Sequence, residues 1–188
     1  MGSGTGRSYF EKHKKIINFL FGVYALIPNF FTPILTFFSF GKISVLFRYF
    51  HFRKYCLSIG DNVYFSKNVV AKNINNLAIG SNFSIHEFSY IDAAGGIEIG
   101  DNVSVAHNCS LISFEHTWAD VNTPIKYNPT SMGKITIGND VWLGCGVRVL
   151  SGATIEDRVI VAAGAVVKGR LQSGYIYGGV PAKKLRQL

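Results

Sequence analysis

Acidic side chains are scarce in this 188-residue chain: 11 Asp and Glu stand against 19 Lys and Arg, a formal charge of +8. That balance suggests an anionic partner: a phosphorylated ligand, nucleic acid or an acidic membrane surface. Charge of either sign is thin, at 16% of residues, below the roughly 25% usual in soluble domains. There are three cysteines, Cys56, Cys109 and Cys145, with no CxxC and no even set. A disulfide framework is therefore not expected, and a reducing compartment fits. The chain has no GxxxxGK[ST], no GxGxxG at a strand-to-helix turn and no GxSxG elbow. Phosphoryl transfer, dinucleotide redox chemistry and α/β-hydrolase chemistry lose their usual support. Nucleic acid is not an expected partner either, because no RNP, zinc-finger or helix-turn-helix frame carries the basic residues. Apolar residues, by contrast, are plentiful at 48%, fifteen of them Phe. That excludes a disordered chain, and this length can bury roughly 70% of its unfolded surface.

The charge falls in two zones. Residues 1–58 hold eight basic side chains against one acid, Glu11, and residues 158–188 hold six and no acid. The first zone surrounds an uncharged stretch from Ile16 to Phe40, IINFLFGVYALIPNFFTPILTFFSF. It is long enough to span a bilayer, but Pro28 and Pro33 break it. Two short apolar helical segments, 16–27 and 34–50, are expected instead of one span. They would either dock peripherally on an anionic membrane, with Lys12, Lys14, Lys15, Arg48, Arg53 and Lys54 facing phosphates, or pack on the protein itself. No small-residue cleavage site follows the apolar run, which disfavours a secretory signal. The leading MGSGTG reads as a flexible end.

After Tyr55 apolar residues recur every six positions, often followed by glycine. The hexads include IGDNVY from Ile59, IGSNFS from Ile79, IGDNVS from Ile99, and IGNDVW, LGCGVR and VLSGAT from Ile137. Such a period means one unit stacked many times. Each hexad supplies a short strand and a turn, and three hexads close a triangular coil of about eighteen residues. Inward Ile, Val and Leu form ladders, and Asn, Asp and Gly take the corners, where positive φ or side-chain-to-backbone bonds are needed. The IG pairs at 59, 79 and 99 lie twenty apart. Two extra residues per coil are expected, near Asn73–Asn76 and Gly95–Gly96. Val, Ile and Gly at this density disfavour a helical alternative.

The repeat breaks at 114–134, FEHTWADVNTPIKYNPTSMGK. A polar, aromatic excursion of this length in a tight solenoid points to function. Its one histidine, His116, has an imidazole suited to proton abstraction near neutral pH. Neighbouring Glu115 or nearby Asp120 are candidates to orient that ring.

The hexads, the His-bearing excursion, the block ITIGNDVWLGCGVRVLSGATI and the ending YGGVPAKKLRQL resemble the hexapeptide-repeat O-acetyltransferases of the maltose and galactoside type. The variant of polysaccharide and capsule gene sets is nearer still. The likeness covers roughly residues 56–188. It implies an all-β, left-handed parallel β-helix over 56–181 with an extruded loop at 114–134; residues 1–55, outside the likeness, are expected as an apolar, basic helical segment, and 182–188 as a basic tail. It further implies a homotrimer with acetyl-CoA as co-substrate in a cleft between subunits, no metal, and acetyl transfer to a hydroxyl of a saccharide or glycolipid.

By the same resemblance His116 is the general base. His86, where the family usually has asparagine, falls on the acceptor side together with Asp92. Trp142, Cys145, Ala163, Lys168, Lys183 and Arg186 fall on the coenzyme side. Lys168 is displaced by one from the family's Thr-Lys pair. The expected location is the cytoplasm or the inner face of the membrane, with contact through residues 10–54. Two alternatives share the fold: a non-enzymatic trimeric scaffold, and a metal-dependent hydratase using His86, His107 and His116, although the H-x4-H pair expected for that chemistry is absent.

Overall fold

A computed structural model defines the architecture and describes residues 3–29, 31–32 and 41–188. Two helices, α1 (Ser3–Ala25) and α2 (Gly41–Tyr55), precede a stack of short strands that runs from Ser58 to Gln187. Helix α1 begins at Ser3, inside the stretch read as a flexible end. Residues 33–40, including Pro33 and the start of the expected 34–50 segment, lie outside the described residues.

The strands form three parallel layers. The first face holds Ser58–Ile59, Leu77–Ile79, Ile97–Ile99, Ile135–Ile137, Thr154–Ile155 and Arg170–Leu171. The second holds Tyr64–Phe65, Ser84–Ile85, Ser104–Val105, Val141–Leu143, Val159–Val161 and Tyr175–Gly178. The third holds Val70–Lys72, Tyr90–Asp92, Ser110–Ile112, Arg148–Val149 and Val166–Val167. The chain visits the faces in rotation, which makes a parallel β-helix. Register confirms the repeat: Ser58 pairs with Ala78 and Ala78 with Glu98, then Glu98 with Thr136 across the excursion and Thr136 with Thr154.

Alternating side chains send one residue inward from each two-residue strand and two from three-residue strands such as Leu77–Ile79 and Val141–Leu143. Phe65, Ile85, Val105, Leu143, Val161 and Tyr177 stack as one ladder; Ile79, Ile99, Ile137, Ile155 and Leu171 stack as another. All of them are buried.

The corners explain the IG-D/S/N motif. In the corner between the first and second faces, positive φ falls on Asn62, Asn82, Asn102 and Asp140. The preceding glycine serves close stacking instead: a Cβ on Gly100 would lie 2.6 Å from Asn139 Oδ1 in the next coil. Polar side chains also bond from coil to coil. Asn62 Nδ2 donates to Asn82 Oδ1 and Asn82 Nδ2 to Asn102 Oδ1, each at 3.0 Å, and Asp101 N–H donates to Asn139 Oδ1 at 2.8 Å. The two expected insertions lie in the corner between the third and first faces: a 3-10 turn over Ile74–Asn76, and the turn at Gly95–Gly96.

The helices close the first coil. Phe10, Ile17 and Tyr24 of α1 recur every seven residues, fall on one face and are buried. Phe10 meets Tyr49 edge-on, and Tyr24 meets Phe47 and Phe50 of α2. Four of the basic residues expected to face phosphates have internal partners here. Lys14 pairs with Asp61 at 2.5 Å. Arg48 donates to Phe65 O, Arg53 to Asn18 Oδ1 and Lys54 to Ile27 O.

At the other end the chain turns back. Lys183–Gln187, expected as a tail, is a strand antiparallel to Tyr175–Gly178.

Candidate active site

The strand Ser110–Ile112 reaches the corner between the third and first faces, and there the excursion leaves the solenoid. It starts as a two-stranded antiparallel ribbon, Phe114–His116 against Thr130–Met132, with His116 opposite Thr130. Asn128 is buried inside the loop. Its amide donates to Thr123 O at 2.8 Å and to Asp120 O at 3.2 Å, and its Oδ1 accepts from Asp120 N–H at 3.1 Å. Thr117 Oγ1 donates to Pro129 O at 2.6 Å. These bonds fix the ribbon that carries His116.

The His116 ring is exposed, and none of the described residues hydrogen-bonds it. It lines a shallow recess of about 220 Å³ with Glu115, Thr117, Trp118, Ala119 and Ser131. Glu115 and His116 are successive strand residues, so their side chains leave opposite faces of the ribbon. Asp120 is committed elsewhere: its carboxylate accepts from Thr123 Oγ1 and Asn122 N–H, and these bonds hold it below the usual carboxylate range.

Asp92 occupies the same corner as the ribbon's base but is only 5% exposed. Its Oδ1 accepts from Asn73 Nδ2 at 2.7 Å and its Oδ2 from Tyr90 Oη at 3.3 Å. The carboxylate braces the inserted corner and offers an acceptor little surface.

A second group lies along the corner between the second and third faces. His86, Cys145 and Ala163 follow one another down this edge, with His107 between the first two. The edge ends at the turn that leads into Lys183. Small side chains line its lower half. The Cys145 N–H makes no hydrogen bond with the described residues. Trp142 projects from the neighbouring second face and is half-exposed. Lys183 and Arg186 lie on the returning strand. Lys168 is in the other corner, on the side of the ribbon.

A single chain therefore separates the two groups. His86 precedes the turn that leads into the third-face strand Tyr90–Asp92, and Asp92 stands at that strand's far end, in a different corner. Neither His86, Cys145 nor Ala163 lines the recess that holds His116. Among the described residues, no three His, Cys, Asp or Glu converge as a metal-holding group.

Two features escaped sequence reasoning. Phe88, on the edge beside His86, has φ 60° and is 65% exposed. Neighbouring coils place Asn68, Asn108, Gly146 and Gly164 there, all of positive φ. Aligning the hexads coil by coil shows this substitution as N, F, N, G, G. Next to it, Glu87 accepts a short hydrogen bond from buried Ser66, which is the main reason its carboxyl lies below the usual range.

Residues 134–169 match the family described as bacterial transferase hexapeptide (six repeats). That segment lies within the stacked coils, and there the chain is similar to the hexapeptide-repeat transferases. A probable acetyltransferase of Mycobacterium tuberculosis is 35% identical over 124 residues, 65% of this hexapeptide-repeat chain and 41% of the relative. The galactoside O-acetyltransferase of Escherichia coli K12 is 29% identical over 136 residues, 70% of this chain and 64% of the relative. The chain thus spans less than two thirds of the length of these relatives. A galactoside acetyltransferase solved in complex with coenzyme A superposes with a TM-score of 0.73 at 26% identity, covering 83% of this chain and 78% of that one.

Proposed function

We propose that this hexapeptide-repeat protein transfers the acetyl group of acetyl-CoA to a hydroxyl of a saccharide. The acceptor would be a surface polysaccharide, its lipid-linked precursor or a small glycan. The observation that carries the reading is His116: an exposed, unbonded imidazole held on a braced ribbon, in a chain otherwise built of regular coils. Galactoside and coenzyme A, named for the similar proteins, supply the two substrate classes.

The chemistry then follows from the residues. His116 takes the hydroxyl proton as the acceptor oxygen attacks the thioester carbonyl carbon. The carbonyl electron pair moves to its oxygen, and the open Cys145 N–H is suited to hold that oxyanion. Collapse forms the ester, breaks the carbon–sulfur bond and expels the CoA thiolate, which recovers the proton from the imidazolium. The pantetheine arm lies along Cys145 and Ala163, where side chains are small. Lys183 and Arg186 face the nucleotide phosphates. His86 hydrogen-bonds the acceptor.

Because the ribbon and the small-residue edge lie at different corners, the site is completed by a neighbouring copy, consistent with a trimer. Trp118, Val121, Ile125, Tyr127 and Met132 are exposed around the ribbon and supply apolar surface for that contact.

Calorimetric titration with acetyl-CoA, paired with thiol release in the presence of saccharide acceptors, tests the proposal. The expected result is saturable binding at roughly micromolar Kd, near −8 kcal/mol. His116→Ala should keep that binding and lose on the order of 10²–10⁴ in turnover. No binding at millimolar acetyl-CoA, or normal turnover in His116→Ala, would reject it.

A further inference from the structure

Helix α1 has two apolar faces, and only one of them is used inside the molecule. The inner face carries Phe10, Ile17 and Tyr24 against α2. At about 100° per residue, Ile16, Phe19 and Val23 fall together on the outward side, and Leu26 follows in the turn just past the helix end. They are 59%, 72%, 52% and 84% exposed. Three large apolar side chains in one stripe on a surface helix, with a fourth exposed just beyond its end, mark an interaction site.

The same stripe continues toward the N-terminal end as Lys12 and Lys15. Both are exposed, and neither has a partner among the described residues. They differ in this from Lys14, Arg48, Arg53 and Lys54, whose bonds are internal. Glu11, the one acid of residues 1–58, stands one turn before Lys15 at the margin of this face, so the basic end of the stripe keeps a net positive charge.

We infer that the outward face of α1 docks on an anionic lipid surface, with Phe19, Val23 and Leu26 entering the headgroup–acyl boundary and Lys12 and Lys15 meeting the phosphates. Charge decides between occupants. A second copy of this chain carries +8 and would bring another basic N-terminal zone, whereas an anionic bilayer matches both halves of the stripe. No helix among the described residues is long and apolar enough to cross a membrane, so α1 lies in the interface. The inference is independent of the acetyl-transfer reading.

The test is sedimentation of the full chain with vesicles of phosphatidylcholine alone and of an equimolar mixture with phosphatidylglycerol. The expected result is binding to the mixed vesicles, roughly tenfold or more above phosphatidylcholine and weakened by salt. Phe19→Ser with Leu26→Ser should lower it by on the order of tenfold or more. Lys12→Gln with Lys15→Gln should abolish the preference for phosphatidylglycerol. These side chains are exposed, so thermal melting should match the parent, and acetyl-CoA titration of the same variants reads the acetyl-transfer proposal separately. Three outcomes would overturn the inference. The parent could stay in the supernatant with mixed vesicles. The Phe19/Leu26 variant could bind as well as the parent. Light scattering could show that this variant changes the oligomeric state, which would make the face a contact between copies.

Discussion

The Phe52 ring of α2 lies flat on Phe65 of the first coil, with centroids 3.6 Å apart and planes 9° apart. Phe65 in turn meets Phe83 of the next coil at 5.9 Å. The helical cap and the solenoid therefore share one core. Phe52→Ala should cost about 3–4 kcal/mol, as for other buried aromatic truncations. Urea unfolding of the variant checks this; a loss under about 1 kcal/mol would mean that the cap is not cooperative with the coils.

Phe88 holds a left-handed backbone conformation that asparagine tolerates far better. Phe88→Asn should raise stability by roughly 1 kcal/mol, because its ring is exposed and contributes little packing. A raised melting temperature with lowered acceptor turnover would assign the strain to function. A lowered melting temperature would contradict the strain argument.

His51 Nδ1 is buried without a hydrogen-bond partner, and burial lowers the ring's pKa below its ordinary value, with Lys54 adding to the effect. The unfolded chain then binds more protons than the folded one as pH falls through about 6.5. Stability should decline from neutrality down to the lower folded pKa and flatten below it. Glu87 and Asp120, held low, lose their contributions only at more acidic pH, as pH falls through their folded values. Melting curves from pH 8 to 5 should slope for the parent and flatten for His51→Phe; equal slopes would exclude His51 as the source.

Ala163 is exposed on the edge assigned to the pantetheine arm. Ala163→Leu adds bulk without disturbing the core, so the melting temperature should hold. The Kd for acetyl-CoA should rise by on the order of tenfold. An unchanged Kd would move the arm to another edge.

Legibility followed the periodicity. Ile59, Ile79 and Ile99, twenty apart in sequence, do stack, and so do Ile137 and Ile155. A repeat writes its register into spacing alone. The last step departs from that spacing: Ile155 pairs with Leu171, because the corner at Lys168–Gly169 is two residues shorter. Asp92 shows the limit for the candidate site. A carboxylate near a corner suits a sugar hydroxyl in sequence, but whether it is spent on Asn73 and Tyr90 depends on neighbouring coils. The same holds for Arg48, Arg53 and Lys54, whose acceptors are backbone, hydroxyl and amide oxygens rather than acids that a charge pattern would reveal.

The returning strand Lys183–Gln187 covers the final edge of the second face. It makes the outermost edge of that sheet a strand bearing Lys183, Lys184 and Arg186, all exposed. Two molecules approaching end to end at this edge would set like charges against each other. Lengthwise growth into fibres by strand addition is opposed there.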